Sequence, residues 1–237
     1  MKSGTHHVFR SLKTWCVPVF LLLALPVHAQ SPHLLPALGA IRLGDHAQAL
    51  DHLRPFALKG DLEAQFLMGL ALESAAGDKR DPKGSHEWYL KAASAGHAAS
   101  QNNLGTQFFD GRGVAKDLQA AMRWYRAAAE QGHPEAQYNL ALMYGMGLGG
   151  QRDDREMVRW LKSAAQAGVP GAQAQLGLLY QRGAGVQRDF DLSYEWLLKA
   201  AQAGHRGAMR ELSIVYELGL GVPSDDAKAR TWRERSR

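Results

Sequence analysis

The chain has almost no cysteine: of its 237 residues only Cys16 carries a thiol. That residue lies just ahead of an apolar run at residues 17–27, which follows three basic residues and closes with a small-residue pattern ending at Ala29. The run is shorter than a comfortable transmembrane helix and is typical of a secretory signal peptide. We therefore predict a leader at residues 1–29, cleavage before Gln30, and a periplasmic or secreted mature protein without disulfides.

Long apolar runs are absent from the sequence after this leader, so we predict no membrane span in the mature form. An excess of one charge is also small: the net charge is +5, and removal of the leader's three basic residues lowers it to +2. We predict no nucleic-acid partner from this balance. The remaining basic excess lies near the end of the chain, at Arg230, Arg233, Arg235 and Arg237. We interpret that cluster as a solvated helix face, with an anionic partner as the alternative.

Motifs of serine acyl-enzymes are also missing. The chain contains neither a Ser-x-x-Lys string nor a Gly-x-Ser-x-Gly elbow, which are the local patterns that activate a serine nucleophile. The Gly-x-Gly segments that do occur lack the third glycine, the lysine and the preceding strand of a phosphate-binding loop. We predict from these absences that the protein is not an enzyme and binds no cofactor.

Tryptophan, by contrast, is present at regular intervals. Five of the six tryptophans follow one another at a spacing of 36 residues, at Trp88, Trp124, Trp160, Trp196 and Trp232. A fixed period of about 20–50 residues is the mark of a stacked-repeat protein, which presents an extended binding surface. We predict a degenerate helical pair at residues 30–59 that caps the stack, followed by five units at residues 60–95, 96–131, 132–167, 168–203 and 204–237.

Each unit has the pattern of a helix, a turn and a second helix. A small residue, a leucine and an aromatic residue recur at i, i+4 and i+8, which makes one apolar stripe on the first helix. A Gly-x-Gly loop, such as residues 111–113, ends that helix, and an aspartate such as Asp117 caps the next one. Trp196, Ala200 and Ala201 represent its predicted inner face. The fold class predicted is all-α, an α/α solenoid of stacked helix-turn-helix repeats.

Three histidines recur at one position of the unit, directly after the glycine that ends the second helix; they are His97, His133 and His205. Successive copies of this position lie about one helix packing distance apart, roughly 10 Å, which is too far for ligands of one zinc ion. We interpret these histidines as helix-end residues favoured near backbone carbonyls. The sequence therefore predicts no metal site and no catalytic residue.

These columns resemble the SEL-1-like repeat family, a relative of tetratricopeptide repeats. The family's motifs are recognisable as Ala-Gln-x-x-Leu-Gly-x-x-Tyr at residues 172–180, Gly-x-Gly-Val-x-x-Asp at 183–189 and Trp-Leu-x-Lys-Ala-Ala-x-Ala-Gly at 196–204. The resemblance implies a superhelix like that of tetratricopeptide proteins and an adaptor or scaffold role, often in the bacterial cell envelope. A cysteine-rich subgroup is described as β-lactamase-like, but this chain lacks the paired cysteines of that subgroup.

We predict a non-enzymatic, monomeric scaffold that binds a protein or peptide on its concave face. In stacks of this kind the first helices line that face, and we expect the columns two residues before and after the leucine to be open to solvent. The candidate partner-binding residues are Phe66, Leu70, Asn102, Thr106, Tyr138, Leu142, Leu178 and Arg210. Packing between neighbouring helices is the competing interpretation of these columns. The alternative functions are an immunity protein that neutralises a secreted toxin and a β-lactamase-like or cell-wall hydrolase.

Overall fold

The computed structural model describes residues 31–76 and 80–237; the predicted leader and its cleavage site before Gln30 lie outside them. All regular structure in these residues is helical, which confirms the predicted fold class. A short 3-10 helix at Pro32–Leu34 precedes twelve α-helices. These are α1 Leu35–Arg42, α2 His46–Ala57, α3 Leu62–Ser74, α4 Pro82–Ser94, α5 Ala98–Asp110, α6 Leu118–Glu130, α7 Pro134–Met146, α8 Asp154–Gln166, α9 Pro170–Arg182, α10 Phe190–Gln202, α11 Arg206–Leu218 and α12 Asp226–Arg235.

The chain divides into two compact units, of which the first runs to Ala128. Helices α1 to α5 pack in sequence order, each on the next. Leu53, Leu67 and Tyr89 are fully buried in the core between them. A Cβ added at Gly69 would lie 2.6 Å from the ring of Tyr89, so the small residue after each leucine column is needed for the close approach of the second helix.

The second unit runs from Ala129 to the end of the chain, and α7 to α12 also pack in sequence order. Its core contains a fully buried leucine from most of its helices: Leu140, Leu161, Leu176, Leu197 and Leu212. The second helix again approaches a glycine, because a Cβ added at Gly177 would lie 2.8 Å from Leu197 Cγ. The same spacing of residues therefore produces the same helix pairing in both units.

The aspartate column caps the second helices as predicted. Each carboxylate accepts a hydrogen bond of 2.9–3.0 Å from a backbone amide three residues later; the five residues are Asp81, Asp117, Asp153, Asp189 and Asp225. Two of the loops before these caps need glycine for two reasons. Gly113 and Gly221 have φ angles of 73° and 72°, and an added Cβ would collide with the backbone carbonyl of Pro82 or of Phe190.

The histidines cap helices at the opposite end from the one predicted. His97, His133 and His205 precede the first helices of their repeats, and each Nδ1 accepts from the backbone amide three residues later, at 3.3, 3.3 and 3.0 Å. The interpretation as residues near carbonyls is wrong because the next helix begins immediately after the histidine, where amide groups are free. Val169 occupies this position in the fourth repeat and gives no side-chain cap.

The tryptophans lie at the margin of the core rather than at its centre. Of the five tryptophans in the part of the chain that the structure describes, only Trp160 is buried, and the other four are partly exposed. In the first four repeats the residue that follows the tryptophan is the fully buried one, as at Tyr89 and Leu197. Basic side chains cover several indole rings: Lys91 Nζ lies 4.1 Å from the ring centre of Trp88, and Lys199 Nζ lies 4.3 Å from that of Trp196.

Candidate interaction surface

The structure buries six of the eight candidate partner-binding residues. Their exposed fractions are at most 6%; they are Phe66, Leu70, Asn102, Thr106, Tyr138 and Leu142. The expectation that these columns are open to solvent is therefore wrong for those six positions. Leu178 is half-buried, and Arg210 is exposed. Burial does not test binding itself, so the partner-binding role of all eight residues stays a prediction.

The column two residues before the leucine is buried because it packs on the following repeat. The ring of Phe66 lies 5.2 Å, centre to centre, from the ring of His97 at the next first helix. A Cβ added at Gly171, near the start of α9, would lie 3.0 Å from Tyr138 Cζ. Ala174 belongs to the same buried cluster as residues in the first turn of α11. We call this column the first junction column.

A second column, on the second helix of each repeat, also contacts the following repeat. The ring centre of His86 lies 5.4 Å from that of Phe108, edge to face. The ring centre of Tyr194 lies 5.8 Å from that of Tyr216, with their hydroxyl oxygens 2.9 Å apart. Burial and the hydrogen bond with Tyr194 raise the pKa of Tyr216 to about 12. We call the column that contains His86 and Tyr194 the second junction column.

Both junction columns hold arginine in the fifth repeat. Arg210 occupies the first junction column and Arg230 the second, and both side chains are exposed. Among the described residues no helix follows α12. On the same side of α11, Ile214 and Leu218 are 39% and 64% exposed. We define the terminal face as Arg206, Arg210, Ile214 and Leu218 of α11 together with Arg230 of α12.

A buried ion pair distinguishes the first unit. Arg112 Nη1 lies 2.7 Å from Oε1 of Glu73, a carboxylate that is only 7% exposed, and the Tyr89 hydroxyl donates to its other oxygen at 3.3 Å. Asp110 lies 3.1 Å from Arg112 Nε. Sequence reasoning missed this cluster, although one arginine in a column that holds only alanine or leucine in the other repeats was a usable signal.

The second unit also has an open cleft of about 460 Å³. Val158, Lys162 and Tyr180 line it together with residues 185–189 and Leu192. Lys162 Nζ lies 6.0 Å from the ring centre of Tyr180. The cleft therefore offers an aromatic ring and exposed basic side chains on the surface, an arrangement suited to polar contact with a ligand.

Within residues 31–76 and 80–237, no three side chains of His, Cys, Asp or Glu are grouped so that they could hold a metal ion. In that same part of the chain, no helix has the length and apolarity required to cross a membrane.

Comparison with known proteins supports the repeat assignment. The Sel1 repeat model matches residues 62–97, 98–133, 134–169, 170–205 and 207–236, and the first four of these matches follow one another at 36 residues. A solved Sel1 repeat protein from Oxalobacter formigenes superposes with a TM-score of 0.78 at 30% sequence identity. That match covers 87% of this chain and 82% of the other. No curated protein sequence matches the chain.

Two other solved structures are similar. One is c5321, a protective antigen of uropathogenic Escherichia coli with an SLR fold (TM-score 0.75, 34% identity, 81% of this chain). This chain spans only 41% of that antigen's length. The other is the immunity protein Pa5087 from Pseudomonas aeruginosa (TM-score 0.50, 28% identity, 74% of this chain and 64% of that one). With five family-model matches across most of its length, this chain belongs to the Sel1 repeat family.

Proposed function

We propose that this chain is a secreted or periplasmic scaffold that binds a protein or peptide partner and has no enzymatic activity of its own. The observation that supports this proposal best is the use of buried polar side chains for repeat packing. Capping aspartates and histidines hold the helix ends, and the one buried carboxylate among the described residues, Glu73, is bound to Arg112 and Tyr89. Side chains that could take part in acid–base chemistry are thus used to cap helices and to hold the repeats together.

A row of glutamines shows the same use of polar groups. Each side-chain Nε2 donates to the carbonyl of the alanine eight residues earlier, at 3.0–3.3 Å; the donors are Gln65, Gln101, Gln137 and Gln173. In the first four repeats, these bonds join the first helix to the last turn of the helix before it. Because a buried amide is costly without a partner, the row fixes the repeat register. A rigid frame with differing exposed residues is what a binding scaffold requires.

The cell compartment and the enzymatic status can be tested together. We would express the full chain with its own leader, fractionate the cells, and sequence the N-terminus of the recovered protein. The expected result is a periplasmic or secreted protein that begins at Gln30. The purified protein should leave nitrocefin and peptidoglycan unchanged. Turnover of either substrate that a single point substitution abolishes would overturn the non-enzymatic proposal.

Partner binding needs its own test. Chemical cross-linking in the fractionated compartment, followed by reconstitution with the purified partner, should give saturable binding of a defined protein. The titration matters because capture from a lysate alone does not establish specific binding. A protein that binds nothing saturably in its own compartment would contradict the scaffold proposal.

A second candidate function is neutralisation of a secreted toxin. The observation that favours it is the likeness to the immunity protein Pa5087, at 28% identity over 74% of this chain. The test is co-expression with the product of any effector-like gene beside this one. Protection of the cells, together with a saturable complex of the two purified proteins, would support the immunity role. Unprotected cells that contain soluble protein would exclude that effector as its target.

A further inference from the structure

We propose that the terminal face binds an acidic amphipathic helix of a partner protein. The proposal deepens the scaffold function and rests on it. Elsewhere in the second unit, the two junction columns enclose the first helix of the following repeat: Ala174 and Tyr194 both contact α11. Arg210 and Arg230 hold the same two columns one repeat later. The terminal face is therefore built with the geometry that receives a helix.

The chemistry of the terminal face differs from that of the internal junctions. Tyr138, Ala174 and Tyr194 make internal contacts through rings or methyl groups. Arginine in both columns of the fifth repeat would disfavour another repeat of the same kind, because two guanidinium groups would lose their hydration without an anionic partner. A helix with carboxylates at the matching positions would restore those interactions, and arginine binds carboxylates in a bidentate manner.

A purely solubilising cap does not explain the apolar residues on this face. Ile214 and Leu218 follow Arg206 and Arg210 at spacings of four residues, which places all four along one side of α11. With exposed fractions of 39% and 64%, they are the only two exposed apolar residues of α11. An end that only needed solubility would carry polar side chains there. Apolar residues bordered by arginine indicate docking of a complementary amphipathic surface.

The arginines of the terminal face are available for such a partner. Within the described residues, Arg206, Arg210 and Arg230 make no ion pair, whereas Arg233 is bound to Glu217 at 2.9 Å and Lys228 to Asp225 at 3.3 Å. The face thus keeps three uncompensated positive charges beside two exposed apolar residues. The first helices of the repeats have 13 residues, so a helix of similar length fits the space that a further first helix would fill.

Fluorescence anisotropy with two synthetic helical peptides tests the proposal. Both peptides carry a leucine stripe; one has flanking glutamates and the other has lysines in their place. We expect saturable binding of the glutamate peptide that weakens as salt rises, and no binding of the lysine peptide. The Arg210→Glu/Arg230→Glu variant should bind the glutamate peptide about tenfold more weakly or worse. Arg123→Glu/Arg155→Glu, with the same charge change at exposed positions elsewhere, should bind normally.

Several outcomes would overturn the terminal-face proposal. They are failure of the glutamate peptide to bind, equal binding of both peptides, or equal loss in the two variants. Circular dichroism and melting curves establish that each variant is folded. Sedimentation that shows self-association abolished by the Arg210→Glu/Arg230→Glu substitutions would make a second copy the occupant and also contradict the proposal. If a reconstituted partner still binds that variant, the terminal face is wrong while the scaffold function survives.

Discussion

The junction between the first and second repeats and the junction between the fourth and fifth share an edge-to-face aromatic contact, of His86 with Phe108 and of Tyr194 with Tyr216. They differ at a second pair of columns, which holds Glu73 and Arg112 at the earlier junction and Gln181 and Leu220 at the later one. At the earlier junction, Glu73 and Arg112 form a buried ion pair, and Tyr89 donates to the same carboxylate. At the later junction, Tyr194 packs edge to face on Tyr216. The comparison shows that the repeat period determines which positions of neighbouring repeats come into contact. It does not determine whether the contact is an ion pair, a hydrogen bond or apolar packing.

The difference has an energetic meaning. A buried ion pair is strongly destabilised when one partner is removed, because the remaining charge is left without compensation. An aromatic contact loses only packing and one hydrogen bond when it is altered conservatively. The two junctions should therefore respond differently to substitution, although the helices at both have the same arrangement.

The largest effect is expected in the apolar cores, since each of the two units has its own. Leu197→Ala removes a fully buried side chain that contacts Gly177, and it should lower the free energy of unfolding by about 2–5 kcal/mol. Urea denaturation, with hydrogen exchange to locate the change in α9 to α11, measures it. Leu218→Ala, at a side chain that is 64% exposed, is the control and should change stability by less than about 0.5 kcal/mol. Equal losses would mean that the buried column does not hold the repeat.

The next largest effect is expected at the ion pair between the first and second repeats. Arg112→Leu leaves the Glu73 carboxylate buried without its cation and should cost about 2 kcal/mol at neutral pH, less than a fully buried pair because Arg112 is partly exposed. The same loop position is Leu148 and Leu220 in other repeats, so leucine should fit there. Urea denaturation of the variant and of the parent chain at neutral pH measures this cost.

The matched double variant separates charge from packing. Glu73→Gln/Arg112→Leu removes both charges and should recover most of the stability lost in Arg112→Leu. A double variant as unstable as the single one would show that the arginine acts through packing and that the two junctions do not differ in the way described.

A smaller effect is expected at the aromatic junction. Tyr194→Phe keeps the ring contact but removes the hydroxyl bonded to Tyr216, and should cost about 1 kcal/mol. The variant should also lower the pKa of Tyr216 from about 12 toward its ordinary value, because the hydrogen bond with Tyr194 contributes to the shift. Ultraviolet absorbance titration measures the pKa. An unchanged Tyr216 titration would contradict a direct coupling of the two hydroxyl groups.

The smallest effect concerns the cap at the start of α11. Burial, and to a lesser degree the charge of Arg210, lowers the pKa of His205 from its ordinary value of 6.5. Because the unfolded chain binds this proton more readily, the cap's contribution is present above pH 6.5 and is lost as the pH falls through the folded pKa. His205→Asn supplies a cap without that titration and should change stability at neutral pH by only a few tenths of a kcal/mol, about 0.3.

Melting temperatures measured across this pH range should decline less in the asparagine variant than in the parent chain. Such a difference would locate part of the acid sensitivity of the second unit at the start of α11. Identical declines in both proteins would show that His205 contributes nothing to the acid sensitivity of the second unit.

Local chemistry was predictable from the sequence. The aspartate caps follow from a side chain that reaches amides two or three residues ahead, and all five are present. The histidine caps were assigned to the wrong end because one helix stops and the next begins within three residues, as at Gly204 and His205. The periodicity shows that a helix boundary lies there, but it does not show which of the two helices the histidine side chain caps.

The candidate binding residues required knowledge that one helix cannot supply. Asn102 and Thr106 are polar, and polarity favours a solvent-facing interpretation, yet both are buried. Most of the middle of α5 is buried on every side. The pattern of apolar and polar residues along this helix therefore does not predict which of its faces is exposed to solvent. Which side of a helix a neighbouring repeat covers depends on packing angles between repeats, and a single sequence does not specify them.

The hydrogen bond from Gln65 to the Ala57 carbonyl has a consequence for how the protein can be shortened. This bond gives α2 the same role as the second helix of a repeat, although α2 has no tryptophan. Asp45 caps α2 in the way that the other aspartates cap the second helices. The structural array is thus one module longer than the tryptophan spacing reveals. A chain that began at residue 60 would lack the Ala57 carbonyl, so the buried side-chain amide of Gln65 would lose its hydrogen-bond partner. It would also expose the apolar residues of α3 that pack on α2. Any trimmed version should begin ahead of α1.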